Sequence, residues 1–286
     1  MTDAHRAYSA GLRSLLGWWP RNPEWLVVTA VLLLIGLPVL LGPSLLDGDP
    51  FSQDLAGRLQ PPCRAHWFGT DGLGRDVFVR LLVGGRTTLG LVAAVAAVMI
   101  PLGVGIGIVA GYFGGWVDRA LNALTNLVMA FPPLVFALAL VGVLGPGLAN
   151  CALALILTGW PVYARLARAQ TQILRRSDYL SAARMQGIHG IRLLWGHVLP
   201  ACLPTVLARA GLDLGSIILA AASFGFLGLG VRPPTPEWGM MIAEGSRVIF
   251  DQWWVAAFPG AAVFAASLAF NLAADALRDR TAARYE

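Results

Sequence analysis

The chain has 286 residues, of which 57% are hydrophobic and only 13% are charged, and its mean hydropathy is +0.66. Soluble domains carry about 25% charged residues, so this composition indicates a protein that has lipid as its main solvent. All 21 basic side chains are arginines. The lack of lysine excludes a Schiff-base lysine and a Walker A phosphate loop, which both need one.

Apolar runs with few or no charges recur along the chain. A membrane-spanning helix needs about 20 predominantly apolar residues, and six such spans are predicted after an N-terminal segment, residues 1–24. A turn at 144–147, with the sequence LGPG, separates the third span from the fourth. The sequence therefore predicts an all-α, polytopic membrane protein with a single transmembrane domain over 25–286. The predicted spans are 25–46, 87–113, 118–143, 148–168, 204–230 and 252–274.

The distribution of arginine predicts which side of the membrane each loop faces, because short cytoplasmic loops carry an excess of basic residues. Arginines collect before the first span, between the fourth and fifth spans, and after the sixth. With six spans these regions fall on one side, so both termini are predicted to be cytoplasmic. The opposite segment, 47–86, holds five arginines but also five aspartates. The arginines of the three predicted cytoplasmic regions are Arg6, Arg13, Arg21, Arg165, Arg168, Arg175, Arg176, Arg184, Arg192, Arg278, Arg280 and Arg284.

Two features inside the predicted spans are candidates for function. Gly103, Gly107 and Gly111 recur every four residues, so they lie on one helix face and allow another backbone to approach closely. This face is either a moving contact within a transporter or static packing.

Arg209 and Asp213 are four residues apart and positioned to pair. An intramembrane charge is a functional candidate, but Arg209 also lies close enough to the helix start to reach water.

Sites for catalysis, metals or nucleic acid are not indicated by the sequence. The four histidines and three cysteines lack the spacing of metal ligands, and neither H-E-x-x-H nor G-x-S-x-G occurs. The pI near 9.6 is attributed to cytoplasmic loops rather than to nucleic-acid binding. We expect neither an enzyme nor a metal site in this chain.

The predicted cytoplasmic loop, residues 169–200, has the pattern of two short helices bent at a glycine. Asp178 is placed to cap the first helix and Gly187 to end it. A second amphipathic stretch, Ile188–Val198, leads into the next span. We call these two helices, residues 178–198, the knob. Its apolar side chains, with Ala183 expected on the docking face, are suited to a groove on a soluble partner; the alternative is an ordinary surface loop.

The same loop resembles the EAA loop of bacterial binding-protein-dependent ABC transporter permeases. That pattern reads E-A-A, three residues, G, nine residues, then I-x-L-P. Ser181 stands where the family usually has Glu, and His197 where it usually has Ile. The resemblance implies that the loop contacts the ATPases, with Asp178 and Tyr179 beside the motif. The matching residues are Ser181, Ala182, Ala183, Gly187, Leu199 and Pro200.

Further segments extend the resemblance over nearly the whole chain, to the C-type permeases of dipeptide, oligopeptide and nickel transporters. The resemblance implies a bacterial inner-membrane subunit that pairs with a sibling permease as a heterodimer. It also implies two cytoplasmic ATPases, which bind ATP and Mg, an extracytoplasmic binding protein, and no cofactor in this chain. The segments are HWFGTDGLGRDVFVRLLVGGR (66–86), AGYFGGWVDR (110–119), AFPPL (130–134), LGPGLAN (144–150), SFGFLGLGVRPPTPEWGMM (223–241) and FNLAADALRDR (270–280).

The family implies an importer of di- or oligopeptides, with nickel, a metal chelate or a metallophore as the alternative cargo. The segments 47–86 and 231–251 are predicted to face outward and to dock the binding protein. Two other classes stay open. A stand-alone secondary transporter needs coupling-ion carboxylates in mid-membrane, and only Asp213 qualifies. A structural scaffold leaves the knob unexplained.

Overall fold

The computed structural model describes residues 48–282, together with Leu33, residues 36–39 and residues 41–42. The predicted N-terminal segment and most of the first span lie outside the described residues. Nine α-helices and no β-strand occur within residues 48–282, and residues 36–39 and 41–42 are also helical. The nine helices are α1 (Val77–Phe113), α2 (Gly115–Met129), α3 (Pro133–Leu144), α4 (Leu148–Arg175), α5 (Asp178–Met185), α6 (Gly190–Leu193), α7 (Leu199–Phe226), α8 (Trp238–Ser246) and α9 (Trp254–Ala282).

The long helix α1 begins earlier than the predicted second span, which started after Arg86. Asp76 caps α1: its Oδ1 accepts hydrogen bonds from the backbone N–H of Phe78 at 2.8 Å and of Val79 at 3.0 Å. The 37 residues of α1 extend about 55 Å at 1.5 Å per residue. The charged Arg80 does not interrupt the helix, because it is buried in ion pairs.

The predicted third span is two helices rather than one. α2 and α3 are bent by 86° relative to each other. The bend lies at Pro132 and Pro133. Proline lacks a backbone N–H and disfavours helical backbone in the residue before it, so consecutive prolines end one helix and begin the next.

Three described helices are long and apolar enough to cross a membrane: Val77–Phe113, Gly190–Phe226 and Trp254–Ala276. The bent pair α2–α3 makes a fourth if it is one span. The predicted fourth span corresponds to α4, which continues to Arg175 and contains several arginines. The count of six spans and the side of each terminus stay predictions from the sequence.

The core lies where α1 packs on α4 and α7, while α9 packs on α7 and α8. α3 packs on α4. Val95, Ala154 and Ile218 represent the three central helices in this core and are fully buried. Close packing of such side chains stabilises the contacts between helices through van der Waals attraction.

Candidate functional site

The knob begins with α5, whose N-terminus is capped by a different residue from the one predicted. The Oγ of Ser177 accepts a hydrogen bond from the backbone N–H of Leu180 at 3.4 Å, and Ser177 has extended backbone. The prediction that Asp178 caps this helix is therefore wrong, because Asp178 is already its first helical residue. At that position a carboxylate still interacts favourably with the helix dipole.

Gly187 ends the first half of the knob, as the sequence predicts. Its φ is +81°, a backbone conformation that costs other residues about 1 kcal/mol or more. Its N–H donates to the carbonyl of Arg184 at 2.9 Å, and the N–H of Ile188 donates to the carbonyl of Ala183 at 3.2 Å. A Cβ added at Gly187 would meet no atom within 4 Å. The requirement for glycine is therefore conformational and not steric.

The exposed face of α5 is formed by Tyr179, Ala182 and Met185, which are three residues apart and lie on one side of the helix. Met185 is 90% exposed. The expectation that Ala183 lies on the docking face is wrong, because Ala183 is only 5% exposed and belongs to the core. Ser181 is exposed. Sequence reasoning missed Met185, although its spacing from Tyr179 and Ala182 was the available signal.

The second half of the knob is continuous with a membrane helix. α6 is followed directly by a π-helical turn, Leu194–Val198, and then by α7, which begins at Leu199. Pro200 lies in the first turn of α7. The hydroxyl of Tyr179 lies 2.7 Å from Nδ1 of His197, so a hydrogen bond joins α5 to the π-helical turn.

The three glycines of α1 face the backbone of α4. A Cβ at Gly107 would overlap the carbonyl oxygen of Ala164 and lie 2.8 Å from the Cβ of Ala167. A Cβ at Gly103 would overlap the carbonyl oxygen of Trp160, and a Cβ at Gly111 would lie 2.8 Å from that of Arg168, both in α4. The two helix backbones thus approach more closely than any residue with a side chain would allow.

Arg209 and Asp213 form the ion pair that their spacing predicts. Nη2 of Arg209 lies 2.8 Å from Oδ1 of Asp213, and its Nε donates to Oδ2 at 3.1 Å. The Arg209 side chain is half exposed, whereas Asp213 is mostly buried. This ion pair thus lies at the edge of the helix bundle. A role for the pair in transport stays a prediction.

A second charged pair, which sequence reasoning missed, joins α2 to α4. Both nitrogens on one edge of the Arg168 guanidinium contact the Asp118 carboxylate, Nη2 to Oδ2 at 2.7 Å. The Nε2 of Gln172 also donates to that carboxylate, at 3.4 Å. The available signal was an acidic residue at the start of the third predicted span and an arginine at the end of the fourth.

A buried charge network links the segment before α1 to α8. Nε of Arg75 lies 2.7 Å from Oδ2 of Asp71, and its Nη2 lies 3.0 Å from Oε2 of Glu244. Nη2 of Arg80 lies 3.2 Å from the same oxygen of Glu244. Asp71 and Glu244 thus neutralise Arg75 and Arg80, two of the five arginines in the segment 47–86 that is predicted to face outward.

Glu237 fixes the other end of α8. Its carboxylate accepts hydrogen bonds from the backbone N–H of Gly239 and of Met240, each at 2.9 Å, and from Oγ1 of Thr88 at 3.1 Å. Burial raises the pKa of the Glu237 carboxyl above its usual range, and these hydrogen bonds oppose the rise. Nε1 of Trp238 donates to the carbonyl of Leu81 at 2.9 Å. α8 is therefore held on α1 at both ends.

Comparison with known proteins agrees with this architecture. The family model described as "Binding-protein-dependent transport system inner membrane component" matches residues 103–286. The chain is 41% identical over 265 residues to a probable D,D-dipeptide transport system permease protein of Escherichia coli (strain K12), covering 92% of this chain and 89% of that protein. It is 40% identical over 260 residues to the nickel transport system permease protein of the same strain, covering 90% and 94%.

Two further comparisons concern a dipeptide system and the fold. A dipeptide transport system permease protein of Alkalihalophilus pseudofirmus is 36% identical over 256 residues, covering 89% of this chain and 82% of that protein. An inward-facing structure of the MetNI methionine ABC transporter has a TM-score of 0.53 with 17% identity, covering 69% of this chain and 96% of that chain. At that identity the structural match shows the fold alone.

The helical membrane fold and the knob are typical of a polytopic transport subunit. The chain belongs to the family of inner-membrane components of binding-protein-dependent transport systems. It is a multi-pass permease subunit of an ABC importer in the inner membrane, and it works with separate ATPase subunits. Members of this family are not the ATPases of the transporter, so the chain is a transport protein and not an enzyme.

Proposed function

We propose that this chain and a sibling permease together form a translocation pathway for di- or oligopeptides. An extracytoplasmic binding protein delivers the peptide, and two cytoplasmic ATPases supply the energy by binding ATP and Mg. Relatives whose names specify a D,D-dipeptide or a dipeptide system, at 41% and 36% identity over most of the chain, support a peptide cargo.

The observation that carries the mechanism is the continuity of the knob with the membrane helix. Residues Gly190–Phe226 form one helical element of 37 residues that runs from the knob through the bundle. The Tyr179–His197 hydrogen bond ties α5 to that element. When ATP binding draws the ATPases together, a displacement of α5 is passed to α7, and the bundle rocks against its sibling.

Nickel, or a nickel complex, is the second candidate cargo. The 40% identity to a nickel transport system permease protein over 90% of this chain favours it. Among the described residues, no three His, Cys, Asp or Glu side chains are grouped so as to hold a metal ion. We attribute the choice of cargo to the binding protein that delivers it.

The cargo is tested with the binding protein of the same importer. Its affinity is measured by calorimetry for dipeptides, for longer oligopeptides and for nickel with and without chelators. Uptake of the same compounds is then measured in cells with and without this chain. We expect binding and chain-dependent uptake of peptides. Chain-dependent uptake of nickel alone would replace the peptide assignment by the nickel one.

A further inference from the structure

We propose that a cleft at the end of α4 binds the headgroup phosphate of an anionic phospholipid. The cleft has a volume of about 480 Å³ and lies where the end of α1, the start of α2 and the last turn of α4 meet. We call it the arginine cleft, because Arg175 and Arg176 form one wall. This inference does not depend on which cargo the transporter carries.

The charges of the arginine cleft are not balanced within the described part of the chain. Arg175 and Arg176 are exposed, and neither has an ion-pair partner among the described residues. The carboxylate that lines the cleft, Asp118, is already held by Arg168 and Gln172. Two guanidinium groups therefore remain free for an anion, and arginine is suited to phosphate because its planar fork donates two parallel hydrogen bonds.

The backbone at the entrance of the cleft leaves room for the Arg175 guanidinium. A Cβ added at Gly114 would lie 2.7 Å from Nη1 of Arg175. Gly114 also has a φ of +68°, which favours glycine. The absence of a side chain there lets the Arg175 guanidinium lie directly against the turn between α1 and α2, at the entrance of the cleft.

The depth of the cleft points to a lipid headgroup. α4 has 28 residues, which correspond to about 42 Å. A bilayer measures about 40–45 Å when its headgroup layers are included. If the first turn of α4 lies in the headgroup layer on one side of the membrane, its last turn lies in the headgroup layer on the other side. Basic clefts between helices on the cytoplasmic side are suited to anionic headgroups.

Exposed aromatic side chains beside the cleft favour lipid over a soluble protein. Phe113 is 59% exposed and Trp116 is 77% exposed. Aromatic rings are enriched at the membrane–water boundary, where they lie at the level of the headgroups. A lipid whose phosphate pairs with Arg175 and Arg176 would place its acyl chains beside these rings. The exposed face of α5 would remain accessible to the ATPases.

The test measures lipid retention by the assembled transporter with native mass spectrometry. The complex, in neutral detergent, is titrated with phosphatidylglycerol, with phosphatidylcholine and with inorganic phosphate. The variants are the double substitution Arg175→Gln/Arg176→Gln and the double substitution Arg175→Lys/Arg176→Lys. Arg119→Gln is the matched control, because Arg119 is an exposed arginine outside the knob that does not line the cleft.

We expect the glutamine variant to bind phosphatidylglycerol roughly 10- to 30-fold more weakly, from the loss of two arginines near an anionic headgroup. The lysine variant, the control variant and the wild type should retain the lipid, and phosphatidylcholine should bind weakly to all of them.

Equal phosphatidylglycerol binding by the glutamine variant and the wild type would overturn the proposal. Saturation by inorganic phosphate that displaces the lipid would make the cleft a free-anion site. Loss of the ATPases from the glutamine variant would assign the arginines to that interface instead.

Discussion

At the scale of single residues, Gly107 of α1 lies directly against the backbone of α4. We expect Gly107→Leu to disrupt the helix contact, because a leucine side chain would begin where the Ala164 carbonyl and the Ala167 Cβ already lie. Overpacking a tight interface costs about 1–3 kcal/mol, and more where backbone has to move. The melting temperature and the yield of the assembled complex are measured by fluorescence-detected size exclusion.

Gly105 supplies the matched control on the same helix. A Cβ at Gly105 meets no atom within 4 Å, so Gly105→Leu has the same effect on helix propensity without the clash. The control should assemble almost as the wild type does. Equal melting temperatures for the two variants would show that α1 and α4 do not make this close contact in the membrane.

Gly187 differs from Gly107 because the space around it is open. We expect Gly187→Val to lower transport and ATPase association, since a β-branched residue is strained at a φ of +81° and would change the angle between α5 and α6. Gly187→Asn should keep most of the activity, because asparagine adopts this conformation several-fold more readily than other residues. Equal loss in both variants would mean that an approaching partner, and not the backbone, requires glycine.

At the scale of elements, α5 has one exposed face, formed by Tyr179, Ala182 and Met185. We expect Ala182→Asp to abolish co-purification of the ATPases and substrate-stimulated ATP hydrolysis, because it would place an unpaired charge in the centre of the face that we propose docks the ATPases. Its neighbours on that face, Tyr179 and Met185, keep their positions. Pull-down of the ATPases and their hydrolysis rate are measured on the reconstituted complex.

Ser181→Glu is the control for this substitution. It adds the same charge to the same helix at the position where the family usually has Glu, and Ser181 is already exposed. We expect this variant to bind the ATPases as the wild type does. Normal pull-down with Ala182→Asp would show that this face of α5 is not the docking surface.

The positions of most helices could be predicted from apolar runs, because a helix that packs in lipid needs a long stretch without charges. The boundaries were less predictable. α1 extends past Arg86 and Arg80 toward Val77, since ion pairs with Asp71 and Glu244 make Arg80 tolerable inside the protein. The sequence showed the prolines between α2 and α3 but not the bend, which follows from how two helices fit against the rest of the bundle.

The functional features were predictable only where the residues that form them are close together in the sequence. Gly187 and the knob follow from a motif within one loop, and so does the pairing of Arg209 with Asp213. The ion pairs that hold α8 were not predictable, because Arg75 and Glu244 are 169 positions apart and no spacing rule connects them. The inward position of Ala183 also required the structure, since a short helix has several faces that can pack on the bundle.

At the scale of the whole molecule, the native cysteines test the predicted orientation. Cys63 is exposed, whereas Cys151 and Cys202 are buried. We expect a membrane-impermeant maleimide to label Cys63 in intact spheroplasts, because the segment 47–86 is predicted to face outward. The control is Ser181→Cys in a Cys63→Ser background, which should react only after the membrane is permeabilised. The reverse pattern would invert the orientation.

The central claim is that this chain is an importer subunit driven through the knob by separate ATPases. The most direct measurement is ATP-dependent uptake of a labelled dipeptide into proteoliposomes that contain this chain, its sibling, the two ATPases and the binding protein. The account predicts uptake that needs every component and is lost with Ala182→Asp but kept with Ser181→Glu. Uptake that continues without the ATPases, or that is driven by an ion gradient alone, would contradict it.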